Sequence, residues 1–286
     1  MDNSQAESPV EPGTLHRLSP VLARLTAPNP GMMTGPGTNT WIIGEMDRVV
    51  VDPGPDDMEH LEAVAAAGEG RIRAILITHG HPDHAPGAYR LREITGAAVM
   101  GHPGLRGDGG SNDSAVDEPL DDGDRLDGED FTLHCLHTPG HAAEHLCFLL
   151  EPGRVLIAGD MVMEGSTVVI SPPDGDMTAY MDSLERLREL EVDAVAPGHG
   201  RMLRPPRALF DGVIAHRQQR EAMVLSAVAA GDRWIGEIVA RIYTHVPAPL
   251  QRVAHGTVRA HLEKLHGEGR VVGQDDGPWY AAEESS

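Results

Sequence analysis

Several residue classes are scarce in this chain of 286 residues. It has two cysteines, Cys135 and Cys147, and both lie within predicted strands, which favours buried free thiols over a disulfide. No apolar run approaches the roughly 18 residues that a membrane helix requires. The first twenty residues also lack the apolar segment of a secretion signal. These absences predict a cytoplasmic protein that does not associate with membranes.

Basic residues are few as well, with 23 against 44 acidic residues and a formal net charge of −21. A field of that sign repels polyanions at low salt and promotes solubility. We attribute this negative charge to a solvated acidic surface and not to specific electrostatic steering of a ligand. Much of the acidic excess lies in residues 108–130, which are rich in Gly, Asp and Ser. We expect the first half of this stretch to be a surface loop that flanks the active site.

The most informative segment is residues 78–84, Thr-His-Gly-His-Pro-Asp-His. It follows the short apolar run 74–77, which predicts a buried strand. The segment carries four metal-binding side chains, which are His79, His81, Asp83 and His84. They leave the carboxyl end of a strand, where α/β proteins usually hold their sites. Imidazole and carboxylate without thiolate suit zinc or a comparable first-row metal.

Three further apolar runs each end at a metal-binding side chain. These are His141 after residues 131–136, Asp160 after residues 154–159 and His199 after residues 192–195. Two histidines one residue apart cannot complete a tetrahedral site by themselves, so additional ligands are required. Four strand ends that each deliver such a group predict one shared metal site.

This pattern resembles the metallo-beta-lactamase superfamily at every ligand position. The resemblance implies His79, His81 and His141 on one metal, Asp83, His84 and His199 on the second, and Asp160 as the bridge between them. Asp83 and Asp160 are the carboxylates to which it assigns catalytic roles. Asp52, in Val-Val-Val-Asp-Pro-Gly, matches the family's early strand-end aspartate and is expected to support the ligands without binding metal. The expected cofactor is a pair of zinc ions, with iron or manganese as alternatives.

Two divalent ions that share a water lower its pKa from about 16 to about 7. The expected chemistry is therefore hydrolysis, in which a metal-bridging hydroxide attacks an ester-type or phosphodiester substrate. Antibiotic-hydrolysing members with two zincs commonly use a cysteine ligand, and no motif position here is cysteine, so that activity is disfavoured. Flavodiiron oxygen reductases carry a carboxylate where this chain has His81, so membership of that class is disfavoured. Sulfur dioxygenases with one iron share some of the ligands, so an iron-dependent oxidoreductase remains an alternative.

Strands and helices alternate in the predicted organisation. Strands are expected at 40–44, 48–52, 74–77, 97–101, 131–136, 145–150, 154–159 and 192–196, with helices at 56–68, 83–95 and 176–190. This pattern fits the α/β class and the αβ/βα sandwich that the resemblance implies. The expected domains are a disordered N-terminus at 1–12, a catalytic domain at 13–206 and a C-terminal domain at 207–286.

The C-terminal domain is predicted to be helical, with helices at 207–230, around 235–242 and around 258–265, followed by a hairpin at 269–280. Helices followed by a hairpin resemble a winged helix. Its candidate phosphate contacts are Arg252, Arg259, Lys264 and Arg270. Because this domain is close to neutral overall, a structural or dimer-forming role is favoured over nucleic-acid binding. A homodimer is therefore one expectation.

The segments 35–44 and 159–170, together with the winged helix, resemble the beta-lactamase-like protein 2 branch. That resemblance implies single-stranded RNA endonuclease activity. The acidic surface instead favours a small-molecule ester or thioester, as in a thioesterase of glyoxalase II type. A DNA-binding regulator with a vestigial metal site is a third hypothesis, which the complete ligand set disfavours.

Overall fold

The computed structural model describes residues 9–105, 116–244, 247–274 and 277–282, which group into two compact units. The first unit contains residues 1–138, 144–167 and 190–206, and the second contains residues 139–143, 168–189 and 207–286. The predicted division into domains at residue 206 stays a prediction. Three predicted features lie wholly or partly outside the described residues, namely the disordered N-terminus at 1–12, the surface loop in the first half of residues 108–130 and the hairpin at 269–280.

A seven-stranded sheet forms one layer of the described part of the first unit. Its strands, in both chain and spatial order, are β1 (Leu15–Ser19), β2 (Leu22–Thr26), β3 (Asn39–Ile43), β4 (Arg48–Val51), β5 (Ile72–Leu76), β6 (Ala98–Gly101) and β7 (Glu118–Pro119). Strands β1 to β4 pair antiparallel, whereas β4 to β7 pair parallel. The parallel strands β4 and β5 are almost entirely buried, which explains the apolar runs 49–51 and 74–76 within them.

Two helices, α1 (Met58–Gly68) and α2 (Gly87–Thr95), pack on one face of this sheet. Their apolar side chains, including Leu61 and Leu91, join Val50 and Ile75 of the sheet in one buried cluster. Helix α1 begins at the cap Asp57, whose side chain accepts a hydrogen bond from a backbone N–H in the first turn.

A second sheet packs on the other face. Its strands are β8 (Arg125–Asp127), β9 (Thr132–His137), β10 (Leu146–Glu151), β11 (Val155–Gly159) and β12 (Ala194–Pro197), arranged in the order β12-β11-β10-β9-β8. Only the β11–β12 pair is parallel within this described sheet. The core between the sheets includes Trp41, Leu76 and Phe148. Cys135 and Cys147 are buried thiols that form no disulfide bond, as expected, and burial raises the pKa of Cys135 to about 12.

The second unit is mainly helical. It contains α3 (Met177–Arg188), α4 (Pro206–Ala229, apart from its first residue), α5 (Ile235–Ile242), α6 (Ala248–Gly267) and the paired strands β13 (Val271–Val272) and β14 (Tyr280–Ala281). Val228, Ile238, Leu262 and Trp279 are among the buried side chains that join α4, α5, α6 and the small sheet in one core. Among the described helices, none combines the length and the apolar character that crossing a bilayer would need.

Two differences from the predicted elements have local causes. The helix expected from residue 83 begins only at Gly87, because Pro86 lacks a backbone N–H and disfavours the helical conformation of the residue before it. Strands β1 and β2 were not predicted. Arg24 interrupts the apolar pattern of β2, yet it is 3% exposed; its guanidinium lies 6.0 Å from the Trp41 ring centroid, and its Nη1 donates a hydrogen bond of 3.3 Å to the carbonyl oxygen of Gly200.

We predict that Phe148→Ala lowers the free energy of unfolding by about 3–5 kcal/mol, because it leaves a cavity in the core between the two sheets. Urea unfolding of the purified protein measures the change. Ile94→Ala is the matched control, since Ile94 is 43% exposed and should change the stability by less than about 0.5 kcal/mol. Equal midpoints for the two variants would contradict the assignment of Phe148 to the core.

Candidate metal centre

The predicted site residues of the first unit lie just after strand ends. The motif at 78–84 follows β5, Asp52 follows β4, Asp160 follows β11, and His199 follows β12. Because β4 and β5 run parallel, as do β11 and β12, the carboxyl ends within each pair share one edge of their sheet. Strand ends are rigid mounts, which a metal site requires.

Four of these side chains converge closely. His84 Nε2 lies 3.3 Å from His199 Nε2. Asp160 Oδ1 lies 3.5 Å from His84 Nε2 and 3.3 Å from His199 Nε2. Asp83 Oδ2 lies 3.5 Å and 3.4 Å from the same two nitrogens. The structure therefore gathers two imidazoles and two carboxylates around one point.

Asp52 holds His84 of this group in place through hydrogen bonds. Its Oδ2 lies 2.8 Å from His84 Nδ1, and its two oxygens accept the backbone N–H of Thr78 at 2.8 Å and the Thr78 hydroxyl at 2.7 Å. With Nδ1–H donated to a carboxylate, the neutral form of His84 carries its lone pair on Nε2, which faces the cluster. Asp52 has φ 51°, a left-handed conformation that non-glycine residues rarely adopt and that is concentrated at functional sites.

The first two histidines of the motif face each other. His79 Nε2 lies 2.9 Å from His81 Nδ1, and the other ring nitrogen of His79 lies 3.0 Å from the Thr78 hydroxyl. His79 also groups with His84 and Asp160, with donor atoms within 4.8 Å of one another. The five predicted ligands that follow β5 and β11 therefore share one edge of the first unit.

His141, the remaining predicted ligand, belongs to the second unit. It is 7% exposed, and its Nδ1 lies 2.7 Å from the carbonyl oxygen of Val169. This hydrogen bond makes Nδ1 the donor and leaves Nε2 available as a ligand. His199 is oriented in the same way, since its Nδ1 lies 3.3 Å from the carbonyl oxygen of Gly37.

The donor atoms fit a metal ion. Zinc binds imidazole nitrogen and carboxylate oxygen at about 2.0–2.2 Å, so the ligand atoms of a tetrahedral site lie roughly 3.3–3.5 Å apart. The Nε2 atoms of His84 and His199 lie 3.3 Å from each other and 3.3–3.5 Å from the carboxylate oxygens of Asp160 and Asp83. Nitrogen and oxygen donors without sulfur suit zinc, iron or manganese.

The charge balance of the cluster also favours a cation. Burial lowers the pKa of His84, but the carboxylates of Asp160, Asp52 and Asp83 outweigh this effect and raise the pKa to about 10. These carboxylates therefore favour a positive charge at His84. A metal ligand must be neutral imidazole, so a bound divalent ion would take over that charge and displace the proton.

Sequence reasoning missed the residues that pack beneath the cluster. His145 is fully buried, its Nε2 accepts the backbone N–H of Asp160 at 3.2 Å, and its Nδ1 lies 2.9 Å from the Thr138 hydroxyl. Gly159 has φ 46°, and a Cβ there would lie 2.7 Å from His145 Nε2. A Cβ on Gly198 would lie 2.5 Å from Asp160 Oδ1. A histidine directly before an apolar strand was the available signal for His145.

Comparison with known proteins identifies the family. The metallo-beta-lactamase superfamily matches residues 33–199, and the beta-lactamase associated winged helix domain matches residues 235–279. A beta-lactamase-like protein 2 homolog from Caenorhabditis elegans is 30% identical over 271 residues, which span 92% of this chain and 89% of the relative. An atrochrysone carboxyl ACP thioesterase from Aspergillus chevalieri is 30% identical over 90% of this chain and 85% of its own length.

The fold agrees. The crystal structure of a beta-lactamase domain protein from Burkholderia ambifaria superposes with a TM-score of 0.81 over 96% of this chain and 95% of that protein, at 23% sequence identity. The predicted α/β fold with a C-terminal winged helix is thereby confirmed, as is the resemblance read from the ligand motif. This chain belongs to the metallo-beta-lactamase superfamily and carries that superfamily's associated winged helix domain.

Proposed function

We propose that this metallo-hydrolase uses two zinc ions to hydrolyse a small ester or thioester. Superfamily membership establishes the class of enzyme. The observation that carries the choice of substrate is that basic side chains of the winged helix region are already paired with carboxylates. Iron or manganese is the alternative occupant of the same nitrogen and oxygen donors.

The proposed ligands are His79, His81 and His141 for one ion, Asp83, His84 and His199 for the other, and Asp160 for both. When bound, the two ions would activate a water and polarise the carbonyl oxygen of the substrate. The convergence of Asp160 and Asp83 on two imidazole nitrogens supports this division. The Nδ1 hydrogen bond of His141 supports its role as a ligand through Nε2.

The protein itself supplies orientation and the direction of approach. Asp52 fixes the tautomer of His84, and His145 holds the backbone of Asp160. Side-chain exposure rises from 0% at His84 and 2% at His199 to 14% at Asp160 and 29% at Asp83. We therefore propose that the substrate approaches from the carboxylate side.

The winged helix region supports a small substrate. Arg259 pairs with Glu263 at 2.7 Å, and Glu221 pairs with Lys264 at 2.8 Å and with Arg270 at 3.4 Å. Three of the four candidate phosphate contacts therefore already have carboxylate partners. A polyanion would have to displace them against a net charge of −21. The name of the Aspergillus relative, a thioesterase, supports the same choice.

A single-stranded RNA endonuclease is the second candidate. It is supported by the winged helix match and by the similarity of this chain to beta-lactamase-like protein 2 homologs. Resemblance to that branch implies single-stranded RNA endonuclease activity. Phosphodiester and thioester hydrolysis need the same metals, so the substrate has to be tested directly.

Zinc-loaded protein should release thiol from a short acyl thioester of N-acetylcysteamine at least about 100-fold faster than metal-stripped protein, because the metals would activate the attacking water and polarise the substrate carbonyl. A thiol-reactive dye reports the rate, and the buried Cys135 and Cys147 should contribute little background. The same preparation should leave a labelled single-stranded RNA oligonucleotide intact at low salt. Metal-dependent RNA cleavage without thiol release would overturn the proposal in favour of the nuclease.

Asp160→Asn should lose at least one zinc equivalent and lower thioester turnover by at least about 100-fold, because the amide cannot bridge two cations as a carboxylate does. Elemental analysis and initial rates measure both effects. Asp56→Asn is the matched control, since that carboxylate is 52% exposed and pairs with Arg90. Full turnover by Asp160→Asn with two zincs bound would rule out the bridging role.

Gly198→Ala should weaken zinc binding, because its Cβ would lie 2.5 Å from Asp160 Oδ1 and 2.8 Å from His84 Cε1. Competition with a zinc-chelating dye measures the affinity. Gly212→Ala is the control, since no heavy atom lies within 4 Å of a Cβ at that position. Unchanged zinc affinity in Gly198→Ala would show that Asp160 and His84 do not need their present positions to bind metal.

A further inference from the structure

Arg217 on α4 is a buried cation in the second unit. It is 2% exposed, and its Nη2 donates a hydrogen bond of 2.5 Å to the carbonyl oxygen of Val168. Its guanidinium lies 5.3 Å from the ring centroid of Tyr180 on α3. A side chain of this kind must be explained, because arginine is almost never fully buried without a partner of opposite charge.

Stability does not explain it. Among the ion pairs of the described residues, none joins Arg217 to a carboxylate, and its buried Nε has no hydrogen-bond partner there. Burying a charge with incomplete compensation costs free energy, and apolar replacements of such groups are often neutral or stabilising for folding. The contacts that Arg217 does make therefore indicate what it contributes.

Those contacts lie next to the hydrogen bond that orients His141. Arg217 holds the carbonyl of Val168, and the carbonyl of the following residue, Val169, accepts from His141 Nδ1 at 2.7 Å. The two carbonyls belong to consecutive peptide planes that meet at the Cα of Val169, so once the first plane is fixed, only the φ and ψ of Val169 set the direction of the second carbonyl. The imidazole of His141 is thus oriented by backbone that Arg217 anchors.

The other side of the His141 loop is anchored to the same helix that Arg217 contacts. The backbone carbonyl of Gly140 accepts the N–H of Asp176, the N-cap of α3, at 2.8 Å. A Cβ on Gly140 would lie 2.3 Å from the Cα of Tyr180, so this loop and α3 pack without intervening space. Arg217 therefore contacts the support of His141 on two sides, through Val168 and through Tyr180.

We propose that Arg217 is a positioning residue that holds His141 in the orientation required to bind metal. This inference rests on the proposed function, in which His141 is a ligand of the first ion. Arg217 acts through the backbone at 168–169 and touches neither substrate nor metal. Groups that orient a ligating histidine typically contribute 10- to 100-fold to metal affinity.

The test compares zinc binding by the wild type, Arg217→Lys, Arg220→Lys and His141→Ala. Lysine keeps the charge of Arg217 but loses the planar fork that contacts Val168 and Tyr180 together. We expect Arg217→Lys to bind one of two zincs about 10- to 100-fold more weakly and the other unchanged, by competition with a chelating dye. Arg220→Lys, one turn along the same helix and facing the Tyr243 ring at 5.1 Å, should bind both zincs as the wild type does.

Two further measurements separate positioning from a general structural role. Urea unfolding of the metal-free proteins should give Arg217→Lys a midpoint close to that of the wild type. His141→Ala should lose the same zinc, and adding Arg217→Lys to it should cause no further loss, because the two residues act on one ligand. Excess zinc should restore the thioester turnover of Arg217→Lys.

Four results would contradict these assignments. Unchanged affinity for both zincs in Arg217→Lys, or additive losses in the double variant, would overturn the positioning role. A strongly destabilised or unfolded Arg217→Lys protein would overturn it too, since it would assign Arg217 to the core. If His141→Ala retained both zincs, the ligand assignment under the proposed function would fail, and the inference about Arg217 would fail with it.

Discussion

The carboxylate of Asp52 is the contact around which the first unit's site is organised. It accepts the backbone N–H and the hydroxyl of Thr78, at the start of the ligand motif, and it contacts His84 at the motif's end. One side chain directly after β4 thus fixes both ends of a seven-residue loop after β5. The left-handed conformation of Asp52 costs of order 1–3 kcal/mol, which a scaffold accepts where it needs a carboxylate in one position. Without this contact His84 could present either ring nitrogen to the cluster.

Residue type and spacing predicted which metal-binding side chains follow the ends of strands, because a buried strand is visible as an apolar run and the side chain that follows it is a polar interruption. The clustering of Asp83, His84, Asp160 and His199 was expected for that reason. His145 and Gly198 could not be identified in this way. Their importance depends on which atoms lie within 3 Å in the folded chain, and no local pattern encodes that distance. Arg24 and Arg217 were missed for a related reason, since a buried arginine has the same local pattern as an exposed one.

Charge distribution distinguishes this chain from a typical nucleic-acid-binding protein. A winged helix that reads phosphates needs unpaired cations on one face. Here Glu221 and Glu268 both contact Lys264 and Arg270, and Arg259 is paired within its own helix. The fold of a module therefore does not disclose its use. The side chains on its surface determine what the module binds, and in this region the charges of Arg259, Lys264 and Arg270 are neutralised by neighbouring carboxylates.

The hydrogen bonds behind the imidazoles have a consequence for metal identity. His79, His84, His141 and His199 are each oriented by a hydroxyl, a carboxylate or a backbone carbonyl, so the arrangement of their donor atoms belongs to the polypeptide and not to a particular ion. Sites built from nitrogen and oxygen discriminate weakly among first-row divalent ions, whose intrinsic affinities follow one general order. In the proposed metal centre, the supply of ions when the chain folds would then decide which of these metals is bound. The same sequence would give enzyme populations of different metal content under different growth conditions.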